Sequence, residues 1–250
     1  MAEETHFSGK KPLDHVVEKQ TAGLLKSAEI HGVEMPGHLA AGTDAMKESA
    51  FLLVFLATVL DRLAYTPNEI GGILTIFSIG WMLWKTGRAA LLGWHHLERM
   101  HRVMEEERWE IEHHRKQERQ ELLELYSVKG FQGKLLDDVV DVLMSDSDRL
   151  LRVMLEEELG LTLETTEHPL LQSAGAFFGV LIAAVTVILS VLFFPIYGII
   201  ITGAIVVATA SVIAARNERN RTIPATIWNL GMAGAAFGIG YFLLDFVLTR

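Results

Sequence analysis

Five apolar stretches and one long acidic stretch organise this chain, and the acidic stretch lies between the second and third apolar ones. A membrane-spanning helix needs about 20 predominantly apolar residues. Leu170–Phe194, Ile196–Ala215 and Thr222–Leu244 reach that length without a charged residue, and Pro195 marks a tight turn between the first two. Two earlier stretches are shorter. Ser49–Leu60 is uncharged until Asp61-Arg62, and Ile70–Trp84 is uncharged until Lys85 and Arg88. The pattern predicts two further spans joined by Tyr65-Thr66-Pro67-Asn68, whose end charges snorkel or face the bundle; a single re-entrant hairpin is the alternative. Arg216, Arg219 and Arg221 place the loop between spans four and five in the cytoplasm by the excess of cationic residues on that side. The acidic stretch and the N-terminal segment then share that side, and the loops at 61–69 and at Pro195 face away from it.

The polar stretch predicts a helical insert. After Gly93 no Gly or Pro occurs until Lys129-Gly130, so one long helix is expected from Gly93 to Tyr126. Leu135–Met144 repeats its apolar residues with helical period, and a third helix starts at Ser147, with Ser147 as its expected cap, and stops at Gly160. The expected fold is therefore an all-α integral membrane protein. It has five transmembrane helices and a three-helix cytoplasmic domain between helices 2 and 3. The domains fall at 1–47 (N-terminal, cytoplasmic or interfacial), 48–92 (helices 1–2), 93–168 (the helical domain) and 169–250 (helices 3–5).

Spacing on the insert gives it a chemistry. Glu107 and Glu110 are three residues apart, as are Glu118 and Glu121, so each pair shares a helix face. The two pairs are offset by eleven residues, about three turns, which puts them on one stripe with His114 between them. On the third helix Met154 and Glu158 are four apart and also share a face. These carboxylates, the imidazole and the thioether can converge on a divalent ion. Oxygen and imidazole suit Fe2+, Mn2+, Zn2+ and Co2+, while a thioether shifts preference away from Mg2+ and Ca2+. The opposing reading is a solvated face, in which Arg108, Arg115, Lys116 and Arg119 pair with the carboxylates along the helix. A straight helix also holds residues 107 and 121 about 21 Å apart. One compact site then needs a bend near His113-His114, several ions, or ligands from a second subunit.

Composition narrows the partners. The chain has 250 residues, half of them hydrophobic, and a net charge of -9, which disfavours nucleic acid. It has no cysteine, so disulfides, thiolate zinc sites and iron–sulfur clusters are excluded. The polar N terminus lacks the apolar core of a secretory signal. Asp14–Ile30 is amphipathic enough to lie on a membrane surface. Gly175/Gly179 and Gly234/Gly238 are small-residue pairs of the kind that lets helices approach closely, within one bundle or at a dimer seam.

The segments ERWEI, QERQELLELY, KGF and VMLEEELGL (107–111, 117–126, 129–131, 153–161) resemble the metal-binding domain of the vacuolar iron transporter family. The resemblance covers roughly residues 45–250 in topology and is specific over about 98–161. It implies a homodimer of five-span subunits that exchanges cytosolic Fe2+, or Mn2+, for protons. It also implies metal ligands at Glu107, Glu110, Glu118, Glu121, Met154 and Glu158. The sequence departs from the family in three places. No Pro lies between the two Glu pairs. The family's carboxylate and thioether positions in span two fall on Phe77 and Lys85, with Met82 a softer candidate nearby. The Asp-Gly motif expected in span one is missing, and Glu48 falls near its position. Lys85 can neutralise Glu48, change the transported ion, or mark a chain that no longer transports.

The expected function is a proton-coupled divalent-metal antiporter, not an enzyme, working in a vacuolar membrane in a eukaryote or the inner membrane of a bacterium. The alternative is a non-transporting metal sensor or scaffold. A di-iron enzyme is the weakest reading, because the Glu-x-x-His spacings at Glu98/His101 and Glu110/His113 arise readily on a helix rich in both residues.

Overall fold

The computed structural model describes residues 35–157 and 167–249, and every regular element in them is an α-helix. Asp14–Ile30, Glu158 and the expected stop at Gly160 lie outside the described residues. The helices are α1 (Gly37–Arg62), α2 (Pro67–His113), α3 (Arg115–Val128), α4 (Lys134–Met144), α5 (Ser147–Glu157), α6 (Pro169–Phe193), α7 (Ile196–Asn217) and α8 (Thr222–Leu248). They fall into two compact units. One contains α1, α2 as far as His95, and α6 to α8; the other contains the rest of α2 with α3, α4 and α5.

Among the described residues three helices, α6, α7 and α8, are long and apolar enough to cross a membrane. The expected count was five. α1 and α2 are both long, but their charge-free runs stop at Lys47-Glu48, Asp61-Arg62 and Lys85, short of what a bilayer requires.

In the first unit α1 is the central packing element. Its buried positions Met46, Ala50, Leu53, Ala57 and Leu60 recur every three or four residues. They meet α6 and α7, with Ile70 and Leu74 of α2 joining the same core. The approach to α6 is close. A Cβ at Gly175 would collide with the His38 carbonyl, and one at Gly179 with the Gly42 carbonyl. The Gly175/Gly179 pair thus packs one helix of this chain against another. Gly234 and Gly238 on α8 have open space instead. At the far end of α1, Arg62 pairs with Asp245 of α8 and lies 5.5 Å from the centre of the Tyr241 ring. Thr66 and Glu69 cap α2 reciprocally: the Thr66 N–H donates to Glu69 Oε2 at 2.8 Å and the Glu69 N–H donates to Thr66 Oγ1 at 3.4 Å.

The second unit corrects two expectations. The single helix expected from Gly93 to Tyr126 is broken at His114, whose φ of -119° and ψ of 27° leave the helical region. Ile111 before the break and Leu122 after it enter one core with Val140, Leu150, Met154 and Leu155. The cap of α5 is Asp146, not Ser147: Asp146 Oδ1 accepts from the Arg149 N–H at 2.9 Å. α3 ends where Lys129-Gly130 predicts. Gly130 takes φ 98°, the Phe131 N–H donates to the Tyr126 carbonyl at 3.2 Å, and the two rings sit 5.6 Å apart, the apolar contact that accompanies this helix stop.

Candidate metal centre

One stripe of the acidic stretch is buried, while Glu105, Glu106 and Glu112 beside it stay exposed. Glu107 is 2 % exposed, and Glu118 and Glu121 are fully buried. Glu110 and His114 are half-buried, and Met154 is fully buried in the core of the same unit. Each acid shares a helix face with an apolar core residue one turn on: Glu107 with Ile111, Glu118 with Leu122, Glu121 with Leu125. Acids are almost never fully buried unless they are paired or hold a cation.

The basic residues of the stretch reach the α4–α5 hairpin. Arg119 pairs with Asp141 at 3.0 Å and Asp137 at 3.6 Å, and Arg108 with Asp148 at 3.8 Å. Arg115 donates to the Met144 carbonyl and to Ser147 Oγ. The hydrogen bond to Asp141 raises the pKa of Arg119 further. Burial raises the pKa of the Tyr126 hydroxyl, and the negative charge of Glu157 adds to the rise. The ring of His113 stacks on Trp109 with centroids 4.5 Å apart, and its Nδ1 lies 2.9 Å from the Trp109 carbonyl oxygen. His113 therefore faces a tryptophan on the outer surface.

Among the described residues no three His, Asp or Glu side chains stand close enough together to hold a metal ion. The six expected ligands divide accordingly. Glu107, Glu118, Glu121 and Met154 share the interior of one unit, Glu110 lies at its margin, and Glu158 is outside the described residues. The break at His114 falls between the two Glu pairs, so they sit on separate helices, α2 and α3, without a proline.

The first unit holds a second candidate. Lys85 is 8 % exposed, and its Nζ lies 2.7 Å from Glu48 Oε2. The neutralisation raised by the sequence is therefore present as an ion pair. Trp81 lies one turn before Lys85, its ring centre 6.0 Å from Nζ. The Trp81 indole N–H donates to Ser49 Oγ at 3.0 Å, and the ring stacks on Phe77 at 6.2 Å. Met82 packs beside Ala45, Ala89, Ala176 and Val180. Sequence reasoning named Phe77 and Lys85 but missed Trp81 and Ser49, which orient the same corner. The four-residue spacing of Phe77, Trp81 and Lys85 was the available signal.

A family model for the VIT family matches residues 95–244. The chain belongs to that family. A search of the curated proteins finds no match. Membership in the VIT family, with three apolar helices, makes this a multi-pass membrane protein of an ion-transporting family rather than an enzyme family. The matched region takes in the acidic unit and α6 to α8; Glu48, Phe77 and Lys85 precede it.

Proposed function

We propose that this VIT-family chain is a homodimeric carrier that moves Fe2+, or Mn2+, out of the cytosol in exchange for protons. The observation that carries the reading is the burial of Glu107, Glu118 and Glu121 in the helical unit that also buries Met154. With Glu110, and with Glu158 as the resemblance implies, these residue types make an oxygen-rich set with one soft ligand, suited to borderline divalent ions. Binding requires the carboxylates to be deprotonated, so metal affinity falls with falling pH, and metal uptake releases protons. α1 and α2 serve as the remaining two spans. α1 packs on α6 and α7, and a helix flanked by two spans shares their apolar slab despite its charged ends. The Arg216–Arg221 loop favours the cytoplasmic side for the acidic unit.

The test is calorimetric titration of the full chain in detergent with Mn2+, and with Fe2+ under anaerobic conditions. Glu118→Gln is expected to weaken binding about tenfold or more, the loss seen even for residues that only support a ligand. Unchanged affinity contradicts the assignment. The Lys85–Glu48 pair supports a second reading, a metal sensor without flux, because it places a cation where a carrier needs an open acid.

A further inference from the structure

The Lys85–Glu48 pair joins a buried ammonium to a carboxylate that is 47 % exposed, at the level of the bundle's core. Met46 and Ala50, the residues two before and two after Glu48, pack against Ala183 of α6 and Val206, Val207 and Ala210 of α7. Those positions are near the middle of α6 (Pro169–Phe193) and of α7 (Ile196–Asn217). Lys85 lies between Met82 and Ala89, whose neighbours are Ala176 and Val180 of α6. The pair is therefore at the depth of the bilayer interior, where an ionisable residue is costly and marks an ion path by default. One turn away Lys47 pairs with Asp44 at 2.8 Å. The four charges Asp44, Lys47, Glu48 and Lys85 sum to zero. A divalent cation meets no net negative potential there unless an internal cation leaves.

Trp81 makes the arrangement specific. Its indole is fixed to Ser49, the neighbour of Glu48, and stacks on Phe77, so its face is held toward Nζ. An aromatic face at that range favours a cation. The ammonium group is thus stabilised from two sides, by a carboxylate and by a ring.

We propose that Lys85 is a tethered surrogate for the cargo, a cation that occupies Glu48 when no metal is bound and competes with divalent ions for it. In the empty protein the intramembrane acid is neutral as a pair. A divalent ion takes Glu48 only when the ammonium of Lys85 withdraws, so Lys85 sets the affinity of the membrane site and the order in which it is filled. This rests on the transport reading for its cargo, but not on the ligand set of the helical unit.

The experiment is Mn2+ uptake by proteoliposomes containing the full chain, comparing wild type, Lys85→Met and the double variant Glu48→Gln/Lys85→Met. Competition predicts that Lys85→Met lowers the KM for Mn2+ about tenfold, within the roughly 5–150-fold range of coupled sites, and that the double variant loses that gain. A purely structural role for Lys85 lowers the maximal rate with KM unchanged. Equal KM in wild type and Lys85→Met overturns the proposal, as does a gain that survives Glu48→Gln. If Lys85→Met does not yield folded protein, Lys85→Gln takes its place under the same criteria. Wild type without flux of any divalent ion contradicts the transport reading instead. In that event Glu48-dependent flux in the Lys85 variant upholds competition, and its absence overturns it.

Discussion

At the scale of single residues, Met154 separates packing from ligation. It is fully buried among Ile111, Leu122, Leu150 and Leu155, so truncation to Ala costs about 2–5 kcal/mol as a core cavity. Met154→Leu keeps the volume and costs less than about 1.5 kcal/mol, but removes the thioether. The account predicts that Met154→Leu melts close to wild type and loses preference for Co2+ over Mn2+ in competition titrations. Retained preference means that Met154 is core and nothing more. The residue types of this site were legible in the sequence: carboxylates at spacings of three and eleven can only share a stripe on a helix. Their burial was not, because a run carrying as many arginines as this one reads equally well as a solvated face. What decides is that Arg108 and Arg119 reach aspartates on α5 and α4, a tertiary fact. The Lys85–Glu48 pair was legible as a conflict with the family pattern, but its partner Trp81 was not, since an aromatic residue on an apolar face reads as lipid-facing or core.

At the scale of elements, apolar periodicity located α4, α6, α7 and α8 to within a few residues, and the start of α5. It missed the start of α1, which begins at Gly37, well before the apolar stretch at Ser49, because the polar first turns carry charge. The other misses were at positions set by backbone geometry. The break at His114 has no Pro or Gly to announce it, and a sequence of helix formers runs through it. Two other helix ends hide similarly. Ala64 and Arg219 adopt φ of 63° and 54° after α1 and α7, positions where a sequence reader looks for glycine. The α5 cap shows how one side chain fixes a boundary. The Arg149 N–H holds the Asp146 carboxyl below its ordinary range. A carboxylate with a lowered folded-state pKa stabilises the fold above its unfolded pKa, and the contribution is lost as pH falls through the folded value. Asp146→Ala should therefore lower the thermal stability of the protein, followed by circular dichroism, at neutral pH. The difference from wild type should stay full down to the unfolded value near 3.8 and shrink below it. A difference independent of pH means that the cap acts through something other than the ionised carboxylate.

At the scale of the whole molecule, composition and hydropathy gave the class, a membrane protein with a polar helical insert, and the family match over residues 95–244 agrees. The count of spans is harder to read, because α1 and α2 carry charge within the lengths a bilayer requires. Asp44, Lys47, Glu48 and Lys85 are what make those two helices marginal by hydropathy, and they form two ion pairs inside the first unit. The same residues that obscure the spans in the sequence are thus the candidates for the ion path. The central claim is that this chain carries a divalent metal against protons, and uptake of Fe2+ into proteoliposomes under anaerobic conditions, with and without an acid interior, tests it most directly. The account predicts uptake that rises with the pH gradient and is reduced in Glu118→Gln. Iron bound by the protein in detergent, with no uptake under either condition, would contradict it.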